Sequence, residues 1–283
     1  MSTRLQRNDR TSSPAADETP VNPAETYERY MVPALFAPAA EQLLAVARPR
    51  SGERVLDVGT GTGIVARRAV PHVGPSGTVT GLDASPAMLG VARAMADEEG
   101  RSIVWSEGQA EALPFPDERF DLVLSQFALM FFTDTAAALA EMRRVLIPGG
   151  RVAISVFQAI DRHPFYQALD KAIDRRLGAS AVEQIFALGD ADALGASLEW
   201  AGFRDVVIEP LSLTARFPNP EAFLAGEIDV DTAAIPAMQD LDPAARRALT
   251  GAIAEEMAEP LRAVTEDDEV VIEFHEFIAR ASR

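Results

Sequence analysis

The sequence predicts an α/β protein built on a doubly wound, mainly parallel sheet. Three observations carry this prediction. A glycine-rich loop follows a short apolar strand, an acidic residue ends the next apolar run, and strand and helix patterns alternate around both. The strand runs are continuously apolar rather than alternating, which is typical of a parallel sheet covered on both faces.

The N-terminal elements come first in the chain. Residues 1–22 are polar, lack periodicity and are rich in Ser, Thr, Asp and Pro, so we expect a flexible tail. The segment 26–47 is predicted to be helical, with Pro33 and Pro38 breaking it into short pieces. The alternation then begins. Its predicted elements are the strand 54–58, the helix 64–73, the strand 78–82, the helix from Pro86 with Ser85 as its N-cap, the strands 103–106 and 121–127, the helix 133–147 ended by 148–150, and the strand 152–157.

The C-terminal part has a different pattern. It contains predicted helices at 166–177 and 190–200, predicted strands at 206–213 and 269–278, and a mostly helical stretch between the two strands. Within that stretch Leu249, Ile253, Met257 and Leu261 form a stripe that either packs on the core or covers an active site. We therefore expect one domain over 23–283, with a cofactor-binding core at 50–160 and substrate cap segments at 161–200 and 218–265.

Composition excludes several classes of site and partner. The 283 residues are 48% hydrophobic, but no uninterrupted apolar run is long enough to suggest a membrane span. The net charge of −17 disfavours nucleic acid partners. There is no cysteine, and the three histidines form no recognisable ligand set, so no metal site is predicted. The N-terminus lacks a signal-peptide pattern, which favours a cytoplasmic location; a homodimer stays open.

The glycine loop indicates the kind of ligand. Its spacing is Gly59-x-Gly61-x-Gly63, with Ile64 where the dinucleotide fingerprint would place its last glycine. That difference favours a nucleoside ligand without a pyrophosphate, and S-adenosylmethionine is one.

Two carboxylates accompany the loop. Asp83 ends the second predicted strand, where an ionised carboxylate can accept hydrogen bonds from both ribose hydroxyls. Asp57 precedes the loop and either caps it or faces the ligand's ammonium group. Gln109 and the segment 125–127 also fall at carboxyl ends of predicted strands, where such sheets bind ligands.

These motifs resemble those of class I S-adenosylmethionine-dependent methyltransferases, in particular the branch of ubiquinone/menaquinone biosynthesis and bacterial small-molecule methyltransferases. The matching pieces are VLDVGTGTG at 55–63, GLDASPAML at 81–89, GQAEALPF at 108–115, FDLVLS at 120–125 and RVLIPGG at 144–150. The resemblance implies a Rossmann-like sheet of seven strands whose last strand, 269–278, is antiparallel.

The resemblance also implies a cofactor site. Its expected members are Tyr30, Asp57, Gly59, Thr60, Gly61, Gly63, Asp83, Ala84, Met88, Gln109, Ala110, Ser125 and Gln126. Relatives often carry an aspartate where Gln109 stands; its amide oxygen can still accept from the adenine amino group, but without a charge. An N-terminal helix containing Tyr27, Arg29 and Tyr30 closes over the cofactor in related enzymes.

The implied reaction is in-line methyl transfer to O, N or C of a small molecule, leaving S-adenosylhomocysteine. Positioning can supply about 7–11 kcal/mol of such a barrier, so no catalytic dyad is required. His163, beyond the fifth strand, is a weak candidate for a general base, and a structural role for it is favoured. An apolar cap would suit an aromatic or isoprenoid-like acceptor. Three alternatives remain: a non-catalytic protein with this fold, a nicotinamide-dependent oxidoreductase, and another reaction of bound S-adenosylmethionine.

Overall fold

A computed structural model describes residues 22–179, 182–233, 235–239 and 241–283. The predicted flexible tail lies outside the described residues, except for Asn22. Asn22 caps the first helix, because its side chain accepts from the backbone N–H of Ala24.

The sheet is mixed, mostly parallel, and has eight strands among the described residues. They are β1 (Arg54–Val58), β2 (Thr78–Asp83), β3 (Val104–Glu107), β4 (Phe120–Gln126), β5 (Leu146–Phe157), β6 (Arg204–Pro218), β7 (Thr265–Glu266) and β8 (Glu269–Ser282). Their order is β3-β2-β1-β4-β5-β8-β6, and β7 pairs with β8 outside this path. The two-residue β7 is the strand beyond the seven expected. The last strand is antiparallel to both of its main neighbours, as predicted.

Helices cover both faces of the sheet. They are α1 (Pro23–Met31), α2 (Ala37–Ala47), α3 (Ile64–Val73), α4 (Pro86–Glu98), α5 (Thr135–Val145), α6 (Pro164–Leu177), α7 (Val182–Ile185), α8 (Ala191–Trp200), α9 (Pro220–Ala233), α10 (Pro236–Gln239), α11 (Pro243–Glu256) and α12 (Ala258–Ala263). Ser85 caps α4 and accepts from Met88, with Pro86 at the first helical position, as expected.

The N-terminal helical segment is not broken at its prolines. A π-helical segment, Val32–Phe36, joins α1 to α2 without interruption. Pro33 and Pro38 stand in the first turns of the π segment and of α2, and the wider π turn accommodates a residue with no N–H to donate. The predicted division of this segment into short helical pieces at Pro33 and Pro38 is therefore wrong.

The direction of α2 follows from its end contacts. At the C-terminus of α2, the Arg151 side chain donates to the carbonyls of Ala47 and Arg48. Arg151 is the first residue of β5 that pairs with β8. Just before the N-terminus of α2, the Gln126 side chain, at the end of β4, donates to the carbonyl of Phe36 at 3.0 Å. The π segment therefore lies over the carboxyl ends of the parallel strands.

The stretch Pro23–Ala47 is long and apolar enough, by length and composition alone, to cross a membrane. In the fold its buried side chains pack against the sheet. They are Val32, Ala40, Leu43, Leu44 and Ala47, in one cluster with Leu122, Leu124 and Ile278 of the strands. The stretch thus has the packing of a core element.

Several element boundaries differ from the sequence expectation. Helix α5 ends at Val145, because Leu146 already has an extended backbone and pairs with Phe120. The Pro148-Gly149-Gly150 stop consequently lies inside β5, where the register between β4 and β5 shifts. In addition, β6 begins and ends outside the predicted 206–213.

The C-terminal helices cover one edge of the sheet. Helix α8 packs on β6 and β8 as the crossover helix before β6. In the predicted stripe, Ile253 and Met257 are buried, while Leu249 and Leu261 are partly buried against the main core. The stripe therefore packs on the core.

Candidate cofactor site

The glycine loop is held in a left-handed backbone conformation. Gly59, Gly61 and Gly63 have φ values of 70°, 55° and 85°. The N–H groups of Gly59 and Thr60 both donate to the carbonyl of Leu82 at 2.9 Å, which ties the loop to the end of β2. Residues with a Cβ rarely adopt this conformation, so the sequence needs glycine here.

The three glycines differ in what surrounds them. A Cβ on Gly59 would lie 2.4 Å from the Cβ of Ala128, and one on Gly63 would lie 2.5 Å from the Trp105 ring. A Cβ on Gly61 would meet nothing within 4 Å. Gly59 and Gly63 are therefore needed by the packing, whereas Gly61 faces open space where a ligand can approach the backbone. The loop fits the cofactor that the resemblance implies.

Asp57 supports the loop from below. Its Oδ2 accepts from the Thr60 hydroxyl at 2.5 Å and from the backbone N–H of Ala66 at 3.2 Å, so it links the loop to the first turn of α3. Burial raises the pKa of Asp57 to about 7, despite these two hydrogen bonds. Its Oδ1 is buried and has no protein partner. The described contacts of Asp57 are those of a residue that caps the loop.

Asp83 lies at the carboxyl end of β2 and is half-buried. Its Oδ2 accepts from the Gly61 N–H at 2.7 Å, and its Oδ1 accepts from the Ser85 N–H at 2.9 Å. Each carboxylate oxygen has a second lone pair, so the group can accept further hydrogen bonds. The Gly61 N–H of the loop therefore orients the carboxylate that is predicted to bind the ribose.

The remaining predicted residues fall into two groups. Ala84 and Gln109 are exposed and Met88 is half-buried, so they lie at the open side beside Asp83; Ala110 is buried behind them. Ser125 is different. It is fully buried, and its hydroxyl donates to the carbonyl of Val58 at 2.9 Å. Ser125 therefore joins β4 to β1, whereas its predicted contact with the cofactor stays a prediction.

Of the two tyrosines in α1, Tyr27 and not Tyr30 turns towards the site. Tyr30 is 50% exposed. Burial, with the charges of Glu28 and Asp83, raises the pKa of the Tyr27 phenol well above its ordinary value. Its ring lies 5.0 Å from that of Phe36. The structure therefore adds Tyr27, three residues earlier and on the same side of the helix, to the predicted Tyr30, whose contact with the cofactor stays a prediction.

A buried arginine holds α1 in place. Arg67 of α3 is only 2% exposed and pairs with Glu28 of α1 at 2.7 Å and with Glu99, which caps α4. The guanidinium of Arg67 thus connects α1, α3 and the end of α4. The sequence did not indicate this contact, because its partners are 39 and 32 residues away.

His163 has a structural position. It is buried; its Nε2 accepts from the backbone N–H of His275 at 3.0 Å, and its Nδ1 lies 3.3 Å from the carbonyl of Ala159. These contacts fit the neutral tautomer with the proton on Nδ1. Burial lowers the pKa of His163 to about 4. With both nitrogens engaged, it has no free nitrogen for a substrate proton, which favours the structural role, and the weak catalytic assignment stays a prediction. No cluster that could hold a metal occurs among the described residues.

Aromatic rings form a layer along the carboxyl ends of the central strands. From Tyr27 the rings continue through Phe36 to Phe127 at 5.9 Å, and Phe127 stacks on Phe157 at 4.0 Å. Phe127 has a φ of 47°, a strained value for a residue with a side chain, and this directs its ring onto Phe157. Phe274 of β8 continues the layer at 5.7 Å. These rings would give an apolar acceptor an aromatic wall.

Comparisons with known proteins agree with this geometry. A family model described as a methyltransferase domain matches residues 56–154. The chain is 39% identical over 139 residues to the aklanonic acid methyltransferase DauC of Streptomyces sp. (strain C5), covering 48% of this chain and 63% of that protein. It is 37% identical over 180 residues to the ubiquinone/menaquinone biosynthesis C-methyltransferase UbiE of Coxiella burnetii, covering 58% of this chain and 72% of that protein.

One solved structure extends the likeness of fold. The YcgJ protein of Bacillus subtilis aligns with a TM-score of 0.59 at 20% identity, over 86% of this chain and 97% of that one. The match to DauC spans less than two thirds of that protein's length.

Proposed function

The chain belongs to the S-adenosylmethionine-dependent methyltransferases, and on that premise we propose that it methylates a small aromatic molecule that carries oxygen. The observation that carries the proposal is the pairing of the open backbone at Gly61 with the half-buried carboxylate of Asp83, next to a wall of aromatic rings. Carbon is the acceptor atom that we favour, since UbiE is a C-methyltransferase by name.

The residues of the chain divide the work of binding. The loop Gly59–Gly63 would hold the methionine part of the cofactor, Asp83 its ribose, and Met88 with Gln109 the adenine side. S-adenosylmethionine, when bound, supplies a methyl group already activated by the sulfonium, so the difficult chemistry comes from the cofactor. The protein contributes alignment and exclusion of water, which together can be worth several kcal/mol.

The aromatic wall favours an apolar acceptor. The rings of Phe127 and Phe157 stack face to face close to the carboxyl end of β4, adjacent to the loop after β1. Such faces bind aromatic rings well and also attract a sulfonium. Family membership leaves no support for the nicotinamide-dependent alternative.

Calorimetry tests the first step of this proposal. The full chain should bind S-adenosylhomocysteine with a one-to-one stoichiometry and should not bind NAD. A panel of phenols, naphthols and quinols with labelled S-adenosylmethionine should then give labelled product, with the label on carbon. Failure to bind S-adenosylhomocysteine would sink the proposal, and binding without transfer to any member would favour a non-catalytic protein.

A further inference from the structure

Three polar side chains near the aromatic wall have buried atoms with no hydrogen-bond partner. They are Oε1 of Gln126, Oγ of Ser155 and both carboxyl oxygens of Glu276. Ser155 and Glu276 are completely buried. Unpaired polar atoms are expensive to bury, so such a group normally has a partner that the protein itself does not supply.

The strand register places these side chains together on one face of the sheet. Gln126 of β4 pairs with Ser155 of β5, and Phe157, two residues further along β5, pairs with Glu276 of β8. Residues two apart on a strand share a face, and so do directly paired residues. The three polar groups therefore occupy adjacent positions on β4, β5 and β8.

This polar cluster, Gln126, Ser155 and Glu276, lies at the carboxyl end of the sheet under the π segment. Gln126 donates to the carbonyl of Phe36 in that segment, and the segment also packs on β6. The residues that pair with Glu276 across the strands or flank it on its own strand face are apolar: Phe157 and Leu211 pair with it, and Phe274 and Ile278 flank it. Among these described neighbours nothing offsets its polarity.

On the basis of the proposed function, we propose that the polar cluster binds a hydroxyl or keto oxygen of the aromatic acceptor and thereby selects the ring atom that is methylated. Strands β4 and β8 are two strand spacings apart, about 10 Å. The oxygen bound at Glu276 would thus lie well away from the loop after β1, which matches an acceptor of two or more fused rings.

The chemistry of the cluster suits either oxygen. Burial raises the pKa of Glu276 to about 8, so at neutral pH its carboxyl keeps its proton. A protonated carboxyl can donate to a keto oxygen and accept from a hydroxyl, and Ser155 has the same capacity. Because the cluster is covered, entry of an acceptor requires the π segment to move, which would break the bond from Gln126 to Phe36 and shift the buried side chains of Val32 and Leu35.

Binding of matched probes tests the proposal with the full chain saturated in S-adenosylhomocysteine. The probes are 1-naphthol and 1-methylnaphthalene, which are close in size but differ in oxygen. Wild type should bind 1-naphthol at least about tenfold more tightly, since its site offers polar partners. Glu276→Leu should abolish most of that preference and leave the affinity for S-adenosylhomocysteine within about twofold.

Stability separates a binding role from a structural one. Replacing an unpaired buried carboxyl with an apolar side chain should leave the melting temperature of Glu276→Leu unchanged or raise it. Glu276→Gln, which keeps a donor and an acceptor, should retain the naphthol preference. Glu273→Leu makes the same change at an exposed position of β8 and should behave as wild type. If Glu276→Leu does not fold, Ser155→Ala replaces it and should reduce the preference severalfold.

Two results would overturn the inference. The first is an unchanged naphthol preference in Glu276→Leu or, where that variant does not fold, in Ser155→Ala. The second is a wild type without any preference, as expected if the cluster holds only buried water. Loss of S-adenosylhomocysteine binding by wild type would instead refute the proposed function, so the two failures are distinguishable.

Discussion

The three glycines of the cofactor loop differ in the atoms that surround their Cα positions. The sequence predicted that all three glycines belong to a cofactor loop, and the backbone angles agree with a loop that needs them. It could not separate the glycines that serve packing from the one that faces open space. That distinction depends on Ala128 and Trp105, which are far away in the chain.

Alanine substitutions should separate these roles. Gly61→Ala adds a Cβ into open space, so we expect a loss of stability of only about 1 kcal/mol from the backbone angle and a much weaker affinity for S-adenosylhomocysteine. Gly63→Ala forces a Cβ against the Trp105 ring and should cost about 2–4 kcal/mol in unfolding free energy. Denaturant unfolding and calorimetry measure both quantities. Equal stability losses would contradict the assignment.

Replacing Asp83 by asparagine should weaken cofactor binding with little change in fold. The amide keeps one acceptor oxygen but loses the charge and the second oxygen, so the ribose and the Gly61 N–H compete for what remains. We expect S-adenosylhomocysteine to bind about 10–100-fold more weakly, or 1.4–2.8 kcal/mol by calorimetry. Asp97→Asn on exposed α4 is the matched control and should leave the affinity unchanged. Wild-type affinity in Asp83→Asn would refute the ribose assignment.

His163 should matter for stability and not for proton transfer. His163→Leu removes the acceptor for the His275 N–H and the partner of the Ala159 carbonyl, which should cost about 2–5 kcal/mol. Among folded molecules, the pH dependence of methyl transfer should keep its shape, because both ring nitrogens are engaged in wild type. If the wild-type profile falls on the acid side, as protonation of a general base would cause, and His163→Leu lacks that fall, the catalytic assignment would be supported.

At the scale of elements, the N-terminal segment is the part that the sequence described least well. Its helical character was predictable from its pattern, whereas its continuity through the π turn was not. Which tyrosine of α1 faces inward depends on how α1 is oriented. The ion pairs of Arg67 with Glu28 and Glu99 hold α1 against α3 and α4. A single sequence does not reveal such a contact, since nothing local marks the partners of Arg67.

Removing the shared guanidinium should loosen α1 over the cofactor site. Arg67→Met keeps the apolar stem but leaves Glu28 without a partner and Glu99 with only Arg101 at 3.8 Å, so α1 should separate more often from α3. We expect faster limited proteolysis within 23–36 and about fivefold weaker S-adenosylhomocysteine binding, a change of about 1 kcal/mol. Arg68→Met, at the neighbouring half-exposed position, is the control. Unchanged proteolysis in Arg67→Met would show that apolar packing alone holds α1.

Across the whole molecule, what the sequence predicted is local and what it missed is non-local. Strand–helix alternation and the antiparallel last strand followed from pattern and resemblance. The insertion of β8 between β5 and β6 brings Glu276 beside Phe157 and Leu211, and this contact joins residues more than 60 positions apart. In the sequence alone, Glu276 therefore resembles an ordinary polar residue of an edge strand. In the fold it is completely buried.

The pH dependence of stability should reveal this buried carboxyl. The pKa of Glu276 is about 8 in the fold against an ordinary 4.5. Between these values the folded chain holds a proton that the unfolded chain releases, so the free energy of unfolding falls as pH rises through this window, by up to about 1.4 kcal/mol per unit. Glu276→Gln cannot titrate and should lack that part of the fall.

The measurement is the difference between wild type and Glu276→Gln in denaturant unfolding at pH 5 and at pH 8. Burial also raises the pKa of Asp57 and of Glu227 to about 7, which acts in the same direction, while the lowered pKa of His163 acts in the opposite one. These groups are common to both proteins and cancel in the difference. Wild type should lose a few kcal/mol more than the variant between the two pH values, because only wild type must ionise a carboxyl among apolar side chains. Parallel stability curves would mean that Glu276 is already ionised and paired at neutral pH.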